Sequence, residues 1–239
     1  MLRQLTKALA VVVAGRVAVH VGPAATWLPA VRRWTPGLAG WGEAGHVALT
    51  FDDGPSPWRT PRFLAVLAQL GVRATFFVLG EELLRHRRIG EALADGGHEI
   101  AVHGWRHDYQ LGRSLRRVET DLERAADLVA TVSGQRPRWF RPPFGVLTGE
   151  CALAAARLGM RPVLWTAWAR DWTASATPQS IMDTMGPGIT GGATLLLHDG
   201  GLSGASAWGD ATLATLPAIV GRARSAGLTP GPLCEHGVR

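Results

Sequence analysis

The sequence predicts an α/β fold built on a parallel sheet, and three observations carry the prediction. From Gly45 onward, short apolar runs rich in β-branched and aromatic residues alternate with longer segments of helical period, the pattern of βα units. The alternation recurs roughly six or seven times, which favours a (β/α) barrel over a two-layer arrangement. The length, 239 residues, suits a single barrel domain, and no linker or low-complexity stretch divides the chain.

Strands are expected at 46–51 (HVALTF), 74–79 (ATFFVL), 98–103 (HEIAVH), 139–141, 162–168 and 193–198 (ATLLLH). Helices are expected between them, at 60–70, 81–95, 114–133, 147–158, 178–185 and 209–226. Leu115, Val118, Leu122, Ala125, Ala126 and Val129 recur at spacings of three and four, as an amphipathic helix requires. Ser114 is a suitable N-cap for that helix and Gly134 a suitable stop. Residues 45–239 form the expected domain, preceded by an apolar and basic segment over 1–44.

Composition narrows the function classes. Hydrophobic residues make up 46% and charged residues 18%, enough for a core and incompatible with a disordered chain. Cys151 and Cys234 are the only cysteines, which excludes a disulfide scaffold and a cysteine-rich zinc module, and the sequence does not say whether they pair. The net charge of +6 comes almost entirely from arginine, since Lys7 is the only lysine. With no nucleic-acid motif, that excess reads as a solvated surface or as affinity for an envelope polymer.

The N-terminal segment supports three readings. Arg3 and Lys7 precede an apolar stretch at 8–15, which Arg16 and His20 interrupt before Val17, Ala18, Val19 and Val21 resume it. This is too short and too charged for a transmembrane span. It fits an export signal, an interfacial amphipathic segment touching a membrane surface, or a helix capping the domain. The compartment follows from that choice: cell envelope or secreted for the first, cytoplasmic or membrane-peripheral for the others.

The polar residues gather at predicted strand ends, where parallel α/β folds place their chemistry. The first strand ends in Asp52-Asp53-Gly54-Pro55, the third in His103-Gly104-Trp105-Arg106-His107, the next in Arg141-Pro142-Pro143-Phe144-Gly145. Asp171-Trp172 and His198-Asp199-Gly200 follow later. Histidines at i and i+4 suit a metal, and a carboxylate from another strand end makes a three-ligand set with positions left for water and substrate. Adjacent aspartates in a regular strand point to opposite faces, but Gly54-Pro55 breaks the strand and lets both turn to the rim. Taken separately, each motif has a plainer reading: an Asx-turn for the Asp pair, surface histidines for the His pair, a buried structural histidine for His198.

In the order and spacing of these five motifs the sequence resembles the polysaccharide deacetylases of carbohydrate esterase family four, the NodB-type homology domain, over about 47–228. The resemblance implies a distorted (β/α) barrel of about seven strands that removes acetyl groups from N-acetylated sugars with one divalent metal. Zinc is the first choice, with cobalt, nickel and manganese as alternatives. It implies Asp53, His103 and His107 as metal ligands, and Asp52 as the base toward the water on the metal. Arg141 would fix Asp52, His198 would be the general acid, and Asp171 would orient it. It further implies the Phe144 N–H as an oxyanion donor and Trp172 and Leu196 as the acetyl pocket. The implied partner is an N-acetylated glycan (peptidoglycan, a chitin-type oligomer or a lipid-linked glycan) acted on by a monomer that binds no nucleic acid. Three positions depart from the family pattern: Gly104 replaces Ser or Thr, Phe144 replaces Tyr, and Trp168 replaces an Asp. Hydrolysis of a formamide or cyclic imide, and a silent carbohydrate-binding barrel, are the competing functions.

Overall fold

Strand β1 (His46–Asp52) is buried on both faces along its whole length, and the fold is assembled around it. The computed structural model describes residues 14–15, 17–201 and 208–238. Beside β1 lie β2 (Thr75–Val78) and β7 (Thr194–His198), both parallel to it. Outward from β2 come β3 (Glu99–Val102), β4 (Trp139–Phe140) and β5 (Arg161–Pro162), and outward from β7 comes β6 (Ala167–Trp168). The order β5-β4-β3-β2-β1-β7-β6 curls into an open barrel, the predicted distorted form with about seven strands. A further short strand, β8 (Thr229–Gly231), pairs with the first residues of β1. The sequence reading missed it, because Thr-Pro-Gly reads as a turn.

Alternation along β1 divides two packing environments. Val47, Leu49 and Phe51 belong to the main core under the helices, where the Phe51 and Phe76 rings stack at 4.9 Å. Ala48 belongs to a smaller cluster inside the barrel with Phe77, Ala101, Trp139 and Val163. Helices Thr60–Leu70 and Pro178–Met185 occupy the expected spans, and Gly134 ends helix Leu115–Ser133 with a left-handed φ of 71°. Ser114 stands at that helix's N-cap without a side-chain cap bond.

Two expectations need correction. The helix predicted at 81–95 is broken at His86 (φ −123°, ψ 43°) into Gly80–Arg85 and Arg87–Asp95. The break folds the second helix back onto the first so closely that a Cβ on Gly90 would lie 2.3 Å from Leu83 Cδ1. The strand predicted at 162–168 is two strands on opposite edges of the sheet. The intervening residues cross the open seam of the barrel: Val163 N–H and Thr166 N–H still donate to the flanking strands at Phe140 O and Thr194 O (2.9 Å each), while Leu164 N–H leaves the ladder and donates to Leu38 O (2.7 Å).

The seam is covered from outside by the N-terminal strap. Residues 17–21 are helical, followed by turns at Gly22–Trp27, Pro29–Arg32 and Pro36–Ala39. Arg32 pins the strap by donating to Trp165 O (2.7 Å) and Trp27 O (3.2 Å). Residues 1–13 and Arg16, on which the export-signal reading chiefly rests, lie outside the described residues. Among the described residues no helix is long and apolar enough to cross a membrane.

Candidate active site

Parallel register brings the separate motifs to one rim. Asp52, the last residue of β1, sits opposite His198, the last residue of β7. His103 follows β3 and Arg141 follows β4, which neighbour each other through Val102 and Phe140. Asp53 then takes a left-handed φ of 73°, so its side chain swings onto the side occupied by Asp52 instead of alternating away. This resolves the geometric objection to adjacent aspartates.

Asp53, His103 and His107 converge, with ligand atoms all within 4.8 Å of one another. Asp53 Oδ1 lies 3.3 Å from Nε2 of each histidine, is buried, and makes no hydrogen bond. A buried carboxylate oxygen without a donor is costly unless a cation completes it, so the donor set fits a divalent metal. His103 Nδ1–H donates to Arg141 O (2.8 Å), which leaves Nε2 with its lone pair toward Asp53. Burial pushes the Asp53 carboxyl up, but the close approach of His103, with His198 and His107, outweighs it and holds the carboxyl well below the usual carboxylate range. Burial lowers the His107 imidazole below its ordinary range, against the pull of Asp53, a direction that favours the neutral form a metal requires.

Arg141 is wholly buried, stacked over the Phe77 ring at 4.0 Å. Its Nη1 donates to Asp52 Oδ1 (2.7 Å) and Thr50 Oγ1 (2.8 Å), and its Nη2 to Leu164 O (2.7 Å). Asp52 Oδ2 is thereby turned toward the candidate ligand triad, 3.8 Å from His103 Nε2. On the opposite side, His198 Nδ1–H donates to Asp171 Oδ1 (2.9 Å), and Asp171 Oδ2 accepts from His198 N–H and Thr212 Oγ1, both at 2.9 Å. Burial lowers the His198 pKa, but Asp171, with Asp53 and Asp52 beyond it, raises it to about 9.

A family profile described as polysaccharide deacetylase matches residues 40–163. This chain belongs to the polysaccharide deacetylase family. A chitooligosaccharide deacetylase of Rhizobium leguminosarum bv. phaseoli is 36% identical over 156 residues, 64% of this chain and 67% of the relative. A solved peptidoglycan N-acetylglucosamine deacetylase superposes with a TM-score of 0.78 at 25% identity, covering 87% of this chain and 96% of its own. A mutant pseudoenzyme of carbohydrate esterase family four with restored enzymatic activity superposes with a TM-score of 0.72 at 25% identity, covering 80% of this chain and 67% of its own. This polysaccharide deacetylase is a hydrolase of amide C–N bonds with the metal-dependent chemistry of its family.

The cleft has two halves, meeting at Asp53 and His107. One is a cavity of about 590 Å³ that holds Phe144, Trp172 and Leu196, all anticipated from the sequence, together with Trp27, Tyr109, Trp165 and Trp168. Tyr109 and Phe144 stack at 4.0 Å on one wall, and Trp168 and Trp172 stack at 5.2 Å on another. The other is a cavity of about 460 Å³ lined by Trp58, Trp105, Glu81, Arg85 and Arg106, sharing Asp53 and His107 with the first. Phe144 has a φ of 57°, and among the described residues its N–H meets no backbone acceptor.

Sequence reasoning missed several members of the site. Thr50 and Thr212 hold Arg141 and Asp171 but carry no motif, and Trp27 arrives from the strap. Asp199, next to His198, is buried beneath the Asp53–Gly54 turn, where a Cβ on Gly54 would come within 2.6 Å of its carboxylate. It accepts from Thr60 Oγ1, and burial raises its pKa to about 7. Gly104 has a φ of 113°, a conformation that favours glycine, which accounts for the departure at that position. Cys151 is buried and Cys234 exposed, and both are free thiols.

Proposed function

We propose that this chain removes the N-acetyl group from N-acetylglucosamine-type residues of a glycan, with zinc as its metal and Asp53, His103 and His107 as the ligands. The carrying observation is the placement of two oppositely equipped proton carriers, Asp52 and His198, in register on β1 and β7 beside that ligand triad. The names of the relatives, chitooligosaccharide and peptidoglycan deacetylases, support the substrate class.

When bound, a divalent ion supplies Lewis-acid polarisation of the acetamide carbonyl and a water with a pKa near ~7. Asp52 Oδ2, the oxygen that Arg141 Nη1 leaves free, takes the proton from the attacking water. The Phe144 N–H donates to the oxygen that gains charge as the carbonyl carbon becomes tetrahedral. His198, charged at neutral pH, gives its Nε2 proton to the departing amine, with Asp171 fixing the ring through Nδ1. Trp172 and Leu196 enclose the acetyl methyl, and the edge of Trp172 against the His198 ring (4.9 Å) holds the acid over the leaving group.

A silent carbohydrate-binding barrel needs none of this set, and the residue types that the proposed proton and metal roles call for are all present here. The deciding experiment is acetate release from N-acetylglucosamine oligomers by purified protein, with chelator and with Zn²⁺ restored. Activity that vanishes and returns supports the reading; folded, zinc-loaded protein that releases no acetate refutes it.

A further inference from the structure

We propose that Asp199 is a positioning residue for the metal site: it holds the turn after β1 in the conformation that carries Asp53 to His103 and His107. The proposal rests on the reading above of those three residues as the metal ligands. It gives a task to a buried carboxylate that the proton transfers do not use.

The turn needs a support. Asp53 brings its carboxylate to the histidines through a φ of 73°, a region that residues other than glycine populate sparsely. Such a conformation persists where the surrounding structure over-determines it. Here the end of β7 does so. Asp199 N–H and Gly200 N–H both donate to Asp52 O (3.3 Å each), at the residue before the turn. The turn lies directly on Gly200, where a Cβ would come within 2.0 Å of Asp53 O. Gly54 rests on the Asp199 carboxylate, since a Cβ there would lie 2.6 Å from both of its oxygens.

The same carboxylate reaches the far side of the turn. Ser56 N–H donates to Thr60 Oγ1 (2.7 Å), and the Thr60 hydroxyl in turn donates to Asp199 Oδ2. Thr60 opens helix Thr60–Leu70, whose N-cap residue, Arg59, makes no side-chain cap bond, so the relay is what ties the loop to the helix start. Asp199 and Thr60 are wholly buried, and no water stands in for either group if its partner is removed. Asp199 thus grips the segment 54–56 at two places. It lines neither half of the cleft, so it acts through the turn and not on substrate. Its neighbour His198 lines the larger cavity, as alternation at a strand end allows. The end of β7 therefore sets the proposed acid and, through Asp199, one proposed metal ligand in a fixed relation.

The test is the zinc dissociation constant of the full chain, measured by competition with a chromogenic chelator. Asp199→Ala is expected to weaken zinc binding about 10–100-fold, the usual worth of a group that holds a ligand in place. Asp199→Asn keeps an acceptor for Thr60 in the same volume and is expected to recover most of that loss. Thr60→Val keeps the shape without the hydroxyl and is expected to weaken zinc binding, while Thr60→Ser restores it. Because the two residues belong to one chain of bonds, the double variant Asp199→Ala with Thr60→Val should bind about as weakly as Asp199→Ala alone. Added zinc should raise the acetate-release rate of Asp199→Ala, whereas Asp52→Asn, which keeps its metal, gains nothing from it. Thermal unfolding of the zinc-free proteins shows which variants are folded, and Thr60→Val carries the test where Asp199→Ala does not fold. Wild-type zinc affinity in Asp199→Ala or Thr60→Val, an Asp199→Asn as weak as Asp199→Ala, or losses that multiply in the double variant overturn the proposal. Wild type that holds no zinc overturns it together with the ligand assignment. Wild type that holds zinc without releasing acetate refutes the deacetylase reading alone, and the zinc affinities of the variants then decide the role of Asp199.

Discussion

Replacing Asp171 by Asn isolates what that carboxylate does for His198. Burial alone lowers the proton affinity of the imidazole, and Asp171, by its charge and its hydrogen bond, reverses the effect and carries the pKa from 6.5 to about 9. Because the folded value lies above the unfolded one, stabilisation by the protonated pair is complete below about pH 6.5 and is lost as pH rises through about 9. At pH 8 a group titrating at about 9 is about nine-tenths protonated, whereas one at 6.5 is protonated in about 3% of molecules. The acid form is therefore depleted about thirtyfold at pH 8 and less than about twofold at pH 6. A buried imidazole without its counter-ion falls below 6.5, so both factors then grow, the one at pH 8 staying the larger. The assay is kcat for acetate release against pH for wild type and Asp171→Asn, with zinc content measured on the same samples. Wild type is expected to keep its rate up to about pH 9, while the alkaline limb of the variant moves below about pH 6.5. A variant impaired by the same factor at pH 6 and pH 8 would refute the reasoning: Asp171 would then act through geometry alone, and His198 would not be the group whose proton limits the rate.

Other positions separate metal binding from turnover. His103→Ala is expected to lose zinc and activity together, read by metal analysis and acetate release. Asp52→Asn should keep its zinc and lose about 10²–10⁴ in kcat, and near-normal turnover would exclude Asp52 as the base. Arg141→Met removes the donor to Asp52, Thr50 and Leu164 in a fully buried position, so thermal unfolding should show a loss of about 3–5 kcal/mol along with the loss of rate. Gly104→Thr restores a family-like hydroxyl but forces a β-branched residue to a φ of 113°; it is expected to cost about 1–3 kcal/mol in stability without raising zinc affinity in a chelator competition.

What the sequence made legible follows from which signals are local. Strand runs and amphipathic helices are written in residue period, so β1, β2, β3 and β7 and the helices Thr60–Leu70 and Pro178–Met185 could be read directly. The crossing at 163–166 could not, because its direction is set by bonds to Leu38 and Arg141, distant in sequence. The same holds at the site. Asp52, Asp53, His103, His107, Arg141 and His198 sit at strand ends that periodicity locates. Thr212, reaching Asp171 from helix Trp208–Ser225, and Trp27, reaching the cavity from the strap, depend on tertiary packing that no local pattern encodes. The break at His86 belongs with these, since the close approach of Gly90 to Leu83 is a packing fact.

Arg141 links the closing of the barrel to its chemistry. An open sheet of this order must satisfy the polar backbone of a segment that leaves one edge and joins the other, and at Leu164, midway across, the bonds go to Leu38 and Arg141 instead of a strand neighbour. The guanidinium supplies donors to that segment at Leu164 O while the same group clamps Asp52 Oδ1, and its own backbone carbonyl fixes the tautomer of His103. One buried side chain thus bonds the seam, the base candidate and, through its main chain, a metal-ligand candidate. A lysine there would carry the charge but not the planar fork that reaches both a carboxylate and a carbonyl at once. Under the proposed mechanism the position serves folding and catalysis together, and the two roles separate only in an assay that reads stability and turnover on the same variant.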